Sequence, residues 1–333
     1  MPATVPRAVV VGPQPGRISL GPGLEALELP PGPVAAITVG WRETEPVLKE
    51  VEQELGQCGR EAVPLHIGER VGRVFERDAP LAEAHRALQE GLLAEEQLYG
   101  ARLRRAVETA REVVRLSVAE RYRDPYAEQA WQAILAADRF HVERHAELWQ
   151  EFREAVGLAE RPAIREQREE LQGLLAGAAA VVLTGGHVAV IRNRLLLLGL
   201  ADALAPLPVL AWSAGAMVLT PRVVLFHDRL PGGAARPEIL GDGLSLLPGI
   251  ALFPDARIRL DLGDRQGLAE LSGRVDPDRA VLLDPGDLVH WDGGAWSAPE
   301  GIRLLSSEGE VETVPSFVPG ASRAESFPEG AAT

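Results

Sequence analysis

The run Val209-Leu210-Ala211-Trp212-Ser213-Ala214-Gly215-Ala216 constrains this chain more than any other stretch. An apolar segment from Pro208 to Ala211 stops at a serine, and small residues lead on into an apolar, helix-compatible segment. That order predicts a tight strand-to-helix turn that lifts one side chain above a sheet edge. Small neighbours suit the turn because it is crowded and the backbone of the serine is strained. The N–H groups that open the following helix face the place where an oxyanion would develop. About 25 residues upstream, Leu183-Thr184-Gly185-Gly186-His187 ends another apolar run in a glycine turn, which brings a second donor within range.

Other short apolar runs bounded by glycine and proline fit a parallel sheet covered on both faces: Ala8 to Val11, Val34 to Val39 and Ala178 to Leu183. Helical spacing at Leu48, Val51 and Leu55 separates the second run from a third strand around Ala62 to Ile67, and this β-α-β order points to an α/β sandwich. Gly40-Trp41-Arg42 follows a strand, and ligands bind beyond the carboxyl ends of parallel strands, so this string is a candidate for the rim of a site.

Residues 79–176 read differently. Leu81, Ala84, Leu88 and Leu92, then Tyr99, Leu103, Val107, Ala110, Val114 and Val118, step by threes and fours with one wider gap. They predict one long helix or two with a break near Gly100. Ala130, Ile134, Phe140, Leu148 and Phe152 continue the helical spacing, as does the stretch from Ile164 to Leu175. The expected organisation is an α/β domain from 1–78 and 177–305, a helical insertion over 79–176 packed on the sheet or used for dimerisation, and a flexible polar tail over 306–333. Within the α/β domain, short strands are expected at Ile250 to Phe253 and Ile258 to Leu260, and a hairpin from Ala280 to Trp291.

Charge and cysteine content narrow the partners. A net charge of −14 argues against nucleic acid or an anionic membrane. The single cysteine excludes an internal disulfide framework and an all-cysteine zinc site. The chain opens with no apolar leader and has no 18-residue apolar run, so the expected location is the cytoplasm. His141 and His145 stand at i and i+4 and so share a helix face, but the string is not H-E-x-x-H and no third ligand is specified. A packing or solvated role is expected for them, and neither a metal nor a cofactor is implied.

The Trp-Ser-Ala-Gly-Ala string, with the Gly-Gly turn upstream and strand-like flanks, resembles the aspartyl dipeptidase (peptidase E) and cyanophycinase family of serine peptidases. The resemblance covers about 1–78 and 177–305. It implies a three-layer α/β/α sandwich with a mostly parallel sheet, of the class I glutamine amidotransferase-like kind, here with a large helical insertion. It makes Ser213 the nucleophile and Gly186 and Ala214 the oxyanion donors, and the acid of such a peptidase matches Asp228. Its histidine follows a short strand in a Pro-His context, and the counterpart here, Phe253-Pro254-Asp255, carries Asp255 instead.

A carboxylate with an ordinary pKa near 4 is a weak base for a serine hydroxyl at pH 7. Two readings therefore stand. In one the chain hydrolyses small peptides with a recruited base, His187 first and His227 second. In the other it has lost its base and binds a small peptide or amino-acid-like ligand, or acts as a scaffold through the helical insertion. Self-association through that insertion is the expected protein–protein contact.

Overall fold

The computed structural model describes residues 5–44, 48–226 and 237–320. Their strands are β1 (Ala8–Val11), β2 (Val34–Ile37), β3 (Ala62–Pro64), β4 (Ala180–Leu183), β5 (Val209–Trp212), β6 (Arg222–Leu225), β7 (Glu238–Asp242), β8 (Ile250–Pro254), β9 (Arg279–Leu283), β10 (Leu288–Trp291), β11 (Trp296–Leu305) and β12 (Val311–Phe317). A ten-stranded sheet runs β3-β2-β4-β5-β1-β10-β11-β9-β8, with β12 on β11, and β6-β7 form a separate antiparallel ribbon. The β3-β2-β4-β5-β1 half is parallel throughout.

These strands are short and apolar at every position because both faces are covered. Val10, Ala35, Ile37, Val181, Leu183 and Ala211 point into one core; Val9, Val11, Ala36, Val182, Leu210 and Trp212 point into the other. Helices α1 (Gly21–Leu27) and α2 (Lys49–Gln57) cover the second face through Leu24, Leu27, Val51 and Leu55. The first face receives α3 (Ile67–Arg77), α6 (Pro162–Ala176), α7 (Val188–Leu198) and α9 (Ser213–Leu219), with α8 (Ala201–Leu204) alongside. The result is the α/β sandwich read from the strand pattern, with a large helical region.

That region is led by α4 (Ala79–Arg115) and α5 (Glu120–Val156), which form an antiparallel arm. Helix α4 runs unbroken through Gly100. Asp78 caps it by accepting the Leu81 N–H at 3.1 Å, and Arg161 holds the same carboxylate at 2.8 and 2.9 Å. Leu81, Leu88, Leu92, Trp149 and Phe152 belong to the main core, whereas Tyr99, Leu103, Val107, Trp131, Ile134 and Ala137 make a separate core farther along. Phe140, assigned by periodicity to the packed stripe, is instead 50% exposed: a 3-4 spacing does not say which of two faces a position joins.

The outer half of the arm is tied to the body by buried polar groups. Arg274, on α11 (Arg265–Val275), donates to Asp138 at 2.7 and 2.9 Å and to the Tyr99 hydroxyl at 3.0 Å. The Tyr99 hydroxyl donates to Asp138 at 2.7 Å and accepts the Ile239 N–H of β7 at 3.2 Å. Burial raises the Tyr99 phenol well above its usual value. Burial opposes the charge of Arg274, but Asp138 and Tyr99 more than offset it and raise the guanidinium. His141 stacks on Tyr99 with ring centres 4.0 Å apart, and His145 lies 4.2 Å farther on. The sequence left these histidines between packing and solvent; both are buried.

Three details of the carboxyl-terminal third differ from the sequence reading. Residues 256–259 form a helical turn, α10 (Ala256–Arg259), rather than a strand, because Asp255 takes a left-handed conformation and its carbonyl accepts the Ile258 and Arg259 N–H groups. The strands β9 and β10 do not pair with each other. They are successive pieces of one interrupted strand, and β11 pairs with both, while its pairing with β12 shifts register between Ser297 and Ile302. Residues 311–317, inside the stretch read as a tail, form β12 on β11, while 321–333 lie outside the described residues. Among the described residues no helix is long and apolar enough to cross a membrane.

Two measurements test this docking. Breaking the buried pair with Asp138→Ala or Arg274→Ala is expected to cost about 3–5 kcal/mol in urea unfolding, because the remaining charge stays buried. The double variant Asp138→Leu/Arg274→Met is expected to lose less than the two single losses combined. Stability is also expected to fall with acid. Burial first, then Arg192 nearby, lowers His141 to about 4, against the pull of Asp138 and Glu95; burial, His141 and Arg192 lower His145 to about 3. The unfolded chain binds these protons near pH 6.5 and the folded one does not, so each histidine removes up to about 1.4 kcal/mol per pH unit between pH 6.5 and its folded value. Replacing both by phenylalanine should flatten that part of the stability profile.

Candidate active site

Strand register brings the carboxyl ends of several strands to one edge. Val11 pairs with Trp212, so Gly12 stands level with Ser213. The Gly12 N–H donates to the Asp287 carbonyl at 2.7 Å, and a Cβ on Gly12 would lie 1.9 Å from the Asp284 carbonyl oxygen. The break between β9 and β10 therefore abuts the end of β1. Pro254 pairs with Leu283, which puts Asp255 at the same edge. Gly40 and Arg42 follow β2, His66 follows β3, and Gly185-Gly186 follow β4.

Four non-glycine residues just past these strand ends have positive φ: Arg42 at 57°, His66 at 46°, Ser213 at 47° and Asp255 at 59°. Such conformations cost about 1–3 kcal/mol each and collect where a structure has a use for them. Ser213 is half-buried at the junction of β5 and α9. It keeps its conformation because the turn packs backbone to backbone. A Cβ on Gly215 would come within 2.4 Å of the Thr184 carbonyl oxygen, and one on Gly186 within 2.4 Å of the Gly40 carbonyl oxygen. A Cβ on Gly185 would be 3.0 Å from the Cβ of Ser213. The glycine turn and the serine, paired in the sequence only by distance, are thus neighbours in space.

The remaining candidates divide. Ala214 opens α9 directly after Ser213, and Gly186, with φ of 120°, lies in the turn beside it. His187 is exposed and caps α7: its Nδ1 accepts the Val190 N–H at 3.4 Å. A neutral imidazole that accepts at Nδ1 carries its proton on Nε2, so in this arrangement it has no lone pair left to take a proton from a hydroxyl. His227 and Asp228 lie outside the described residues. Asp255 starts α10, with Arg259 at 3.7 Å from its carboxylate.

The arginine–carboxylate pairs around residues 257–259 share an anchor that the sequence does not mark. Asp284 is 5% exposed; it accepts the Arg257 N–H at 3.1 Å and pairs with Arg303 at 2.7 Å and Arg257 at 3.3 Å. One carboxylate thereby ties β9, β11 and the turn carrying Asp255. The string Leu283-Asp284-Pro285-Gly286 marked a turn there, but nothing in it signalled an ion pair with a residue of the later strand. The strain at Arg42 and His66 left no sequence signal either. Among the described residues no group of three or more His, Cys, Asp or Glu side chains could hold a metal ion.

No protein-family model matches the chain, and no curated protein matches it. Among solved structures it is similar to a crystal structure of a peptidase from an acI-B1 Actinobacterium, at 13% identity and a TM-score of 0.47, over 97% of this chain and 98% of that one. At that level the likeness says nothing of which residues act.

The strain at Ser213 makes a stability prediction of its own. Ser213→Gly should stabilise the fold by about 1 kcal/mol, since glycine takes this conformation without steric cost, and Ser213→Val should destabilise it. Thermal unfolding of the two variants against the wild type reads the sign directly.

Proposed function

We propose that the chain is a serine hydrolase of peptidase type, with Ser213 as nucleophile at a nucleophile elbow and Gly186 and Ala214 N–H groups as oxyanion donors. The observation that carries this reading is the left-handed backbone of Ser213 at the strand–helix junction, with the Gly185-Gly186 turn alongside. Ser245, outside this turn, has a similar φ of 54°, so the position of Ser213 between strand and helix beside the glycine turn, rather than the strain alone, supports the reading. The resemblance of the surrounding string to the peptidase E and cyanophycinase family supports the same assignment, and with it a small peptide or amino-acid-like substrate. In the reaction the Ser213 hydroxyl adds to the scissile carbonyl, its proton passes to a base, and the amine leaves with a proton to give an acyl-enzyme that water then hydrolyses.

The base is the open step of this reading. The cap that His187 makes with α7 favours a source other than that imidazole, and His227 is the further candidate by sequence, with Asp228 as the acid. The second reading, a relative that binds without hydrolysing, is favoured by Asp255, which by the family resemblance stands in the place of the histidine.

Labelling with a fluorophosphonate probe separates the two. The expected result is labelling of the wild type, reduced at least about 100-fold in Ser213→Ala and little changed in His187→Ala. A folded wild type that takes no label would overturn the hydrolase reading and leave the binding one.

A further inference from the structure

Two apolar cores hold the arm, and a polar layer lies between them. Along α5, Trp149 and Phe152 belong to the main core, Ala137, Ile134 and Trp131 to the outer one, and Asp138, His141 and His145 come in between. On α4 the same change falls between Leu92 and Tyr99. Beyond the layer, the outer half meets α11 through Arg111 with Glu270 at 2.9 and 3.0 Å, and through Trp131, which packs on Gly273. Val142 adds a partly buried contact with the main core. A hairpin with a core of its own can part from such contacts as one unit.

The carboxylates that face the two histidines are already engaged. Asp138 is held by Arg274 of α11 and by Tyr99, and Glu95 of α4 by Arg144. On β7, Glu238 lies against Gly100, and Asp242 interacts with Arg192 and Arg222. Arg192 of α7 is 3% exposed and donates to the Asp242 carbonyl and the Asn193 side chain. A Cβ on Gly241 of β7 would lie 2.9 Å from the Arg192 Nη2 and 3.4 Å from the His145 Nδ1, so guanidinium and imidazole meet over one residue. Arg153, two turns along α5, adds to the positive charge around Arg192. Carbonyls of Leu92, Ile239 and Leu240 also face the rings, but burial outweighs them. A proton on either ring therefore sets a second cation beside Arg192, out of reach of water.

We propose that this layer is an acid-sensitive joint: protonation of His141 and His145 releases the outer half of the arm from β7 and α11 as an intact helical hairpin, while the sandwich stays folded. The joint does not depend on the hydrolase reading. Released, the rings regain water and titrate near pH 6.5. Docked, they titrate at about 4 and about 3. The docked form thus binds fewer protons, and each pH unit below 6.5 favours release about tenfold per histidine, up to about 10,000-fold at pH 4.5.

A distance measurement between two spin labels on the full chain tests it. The labels go on Leu116→Cys at the tip of the arm and Glu308→Cys in the turn between β11 and β12, both exposed, with Cys58→Ser removing the native thiol. One narrow distance is expected at pH 7.5. At pH 4.5 a longer, broad population should hold most molecules, with the far-ultraviolet circular dichroism unchanged. Adding His141→Phe and His145→Phe together should keep the narrow distance at pH 4.5. Either replacement alone should lower the steepness of release from about 100-fold to about tenfold per pH unit, and these single variants carry the test if the double one misfolds. A labelled chain that keeps the narrow distance at pH 4.5, release at the same pH and steepness without the histidines, or release only together with loss of the helical signal would each overturn the proposal.

Discussion

Close approach of backbone to backbone at the carboxyl edge of the sheet is the constraint on which the rest of the molecule depends. Gly12, Gly40, Gly186 and Gly215 each stand where a Cβ would come within 2.6 Å of a backbone oxygen on a neighbouring segment. Without side chains in these places, the ends of β1, β2, β4 and the turn after β5 can meet in one row. The same contacts hold Ser213 in a conformation that serine does not choose by itself. Strain at one residue is thus maintained by packing at several others.

The arm is held by a different means. Its inner half shares the apolar core of the sandwich, but its outer half has a small core of its own and reaches the body through Asp138, Tyr99 and Arg274. Such a network gives direction rather than much net energy. Each member is buried with its partners satisfied, and a different seating of the arm would leave a charge alone. The stacked histidines beside it are held below their usual value first by burial, with Arg192 adding to it.

Much of the sandwich was legible because buried parallel strands leave a simple trace, four or five apolar residues between glycines and prolines. The runs at Ala8, Val34, Ala180 and Val209 became neighbours in the sheet. The glycine turn and the serine were legible as motifs too. Where the reading failed, the deciding partner was distant in sequence. Periodicity put Phe140 in the core, yet the helix has two stripes of similar spacing and only α4 shows which one is covered. Residues 258–260 looked like a strand, but the left-handed Asp255 turns them into a helical turn that Asp284 anchors.

The sequence by itself determined the class of layers, the helical character of 79–176 and the position of a small-residue turn at Ser213, because each follows from local spacing and local sterics. Tertiary structure alone decided that Gly185 lies against Ser213, that His187 spends its lone pair on a helix cap, and that Asp255 and Asp284 come to the same edge as the serine. These depend on strand order and register, which join residues tens of positions apart through backbone hydrogen bonds that carry no side-chain signature.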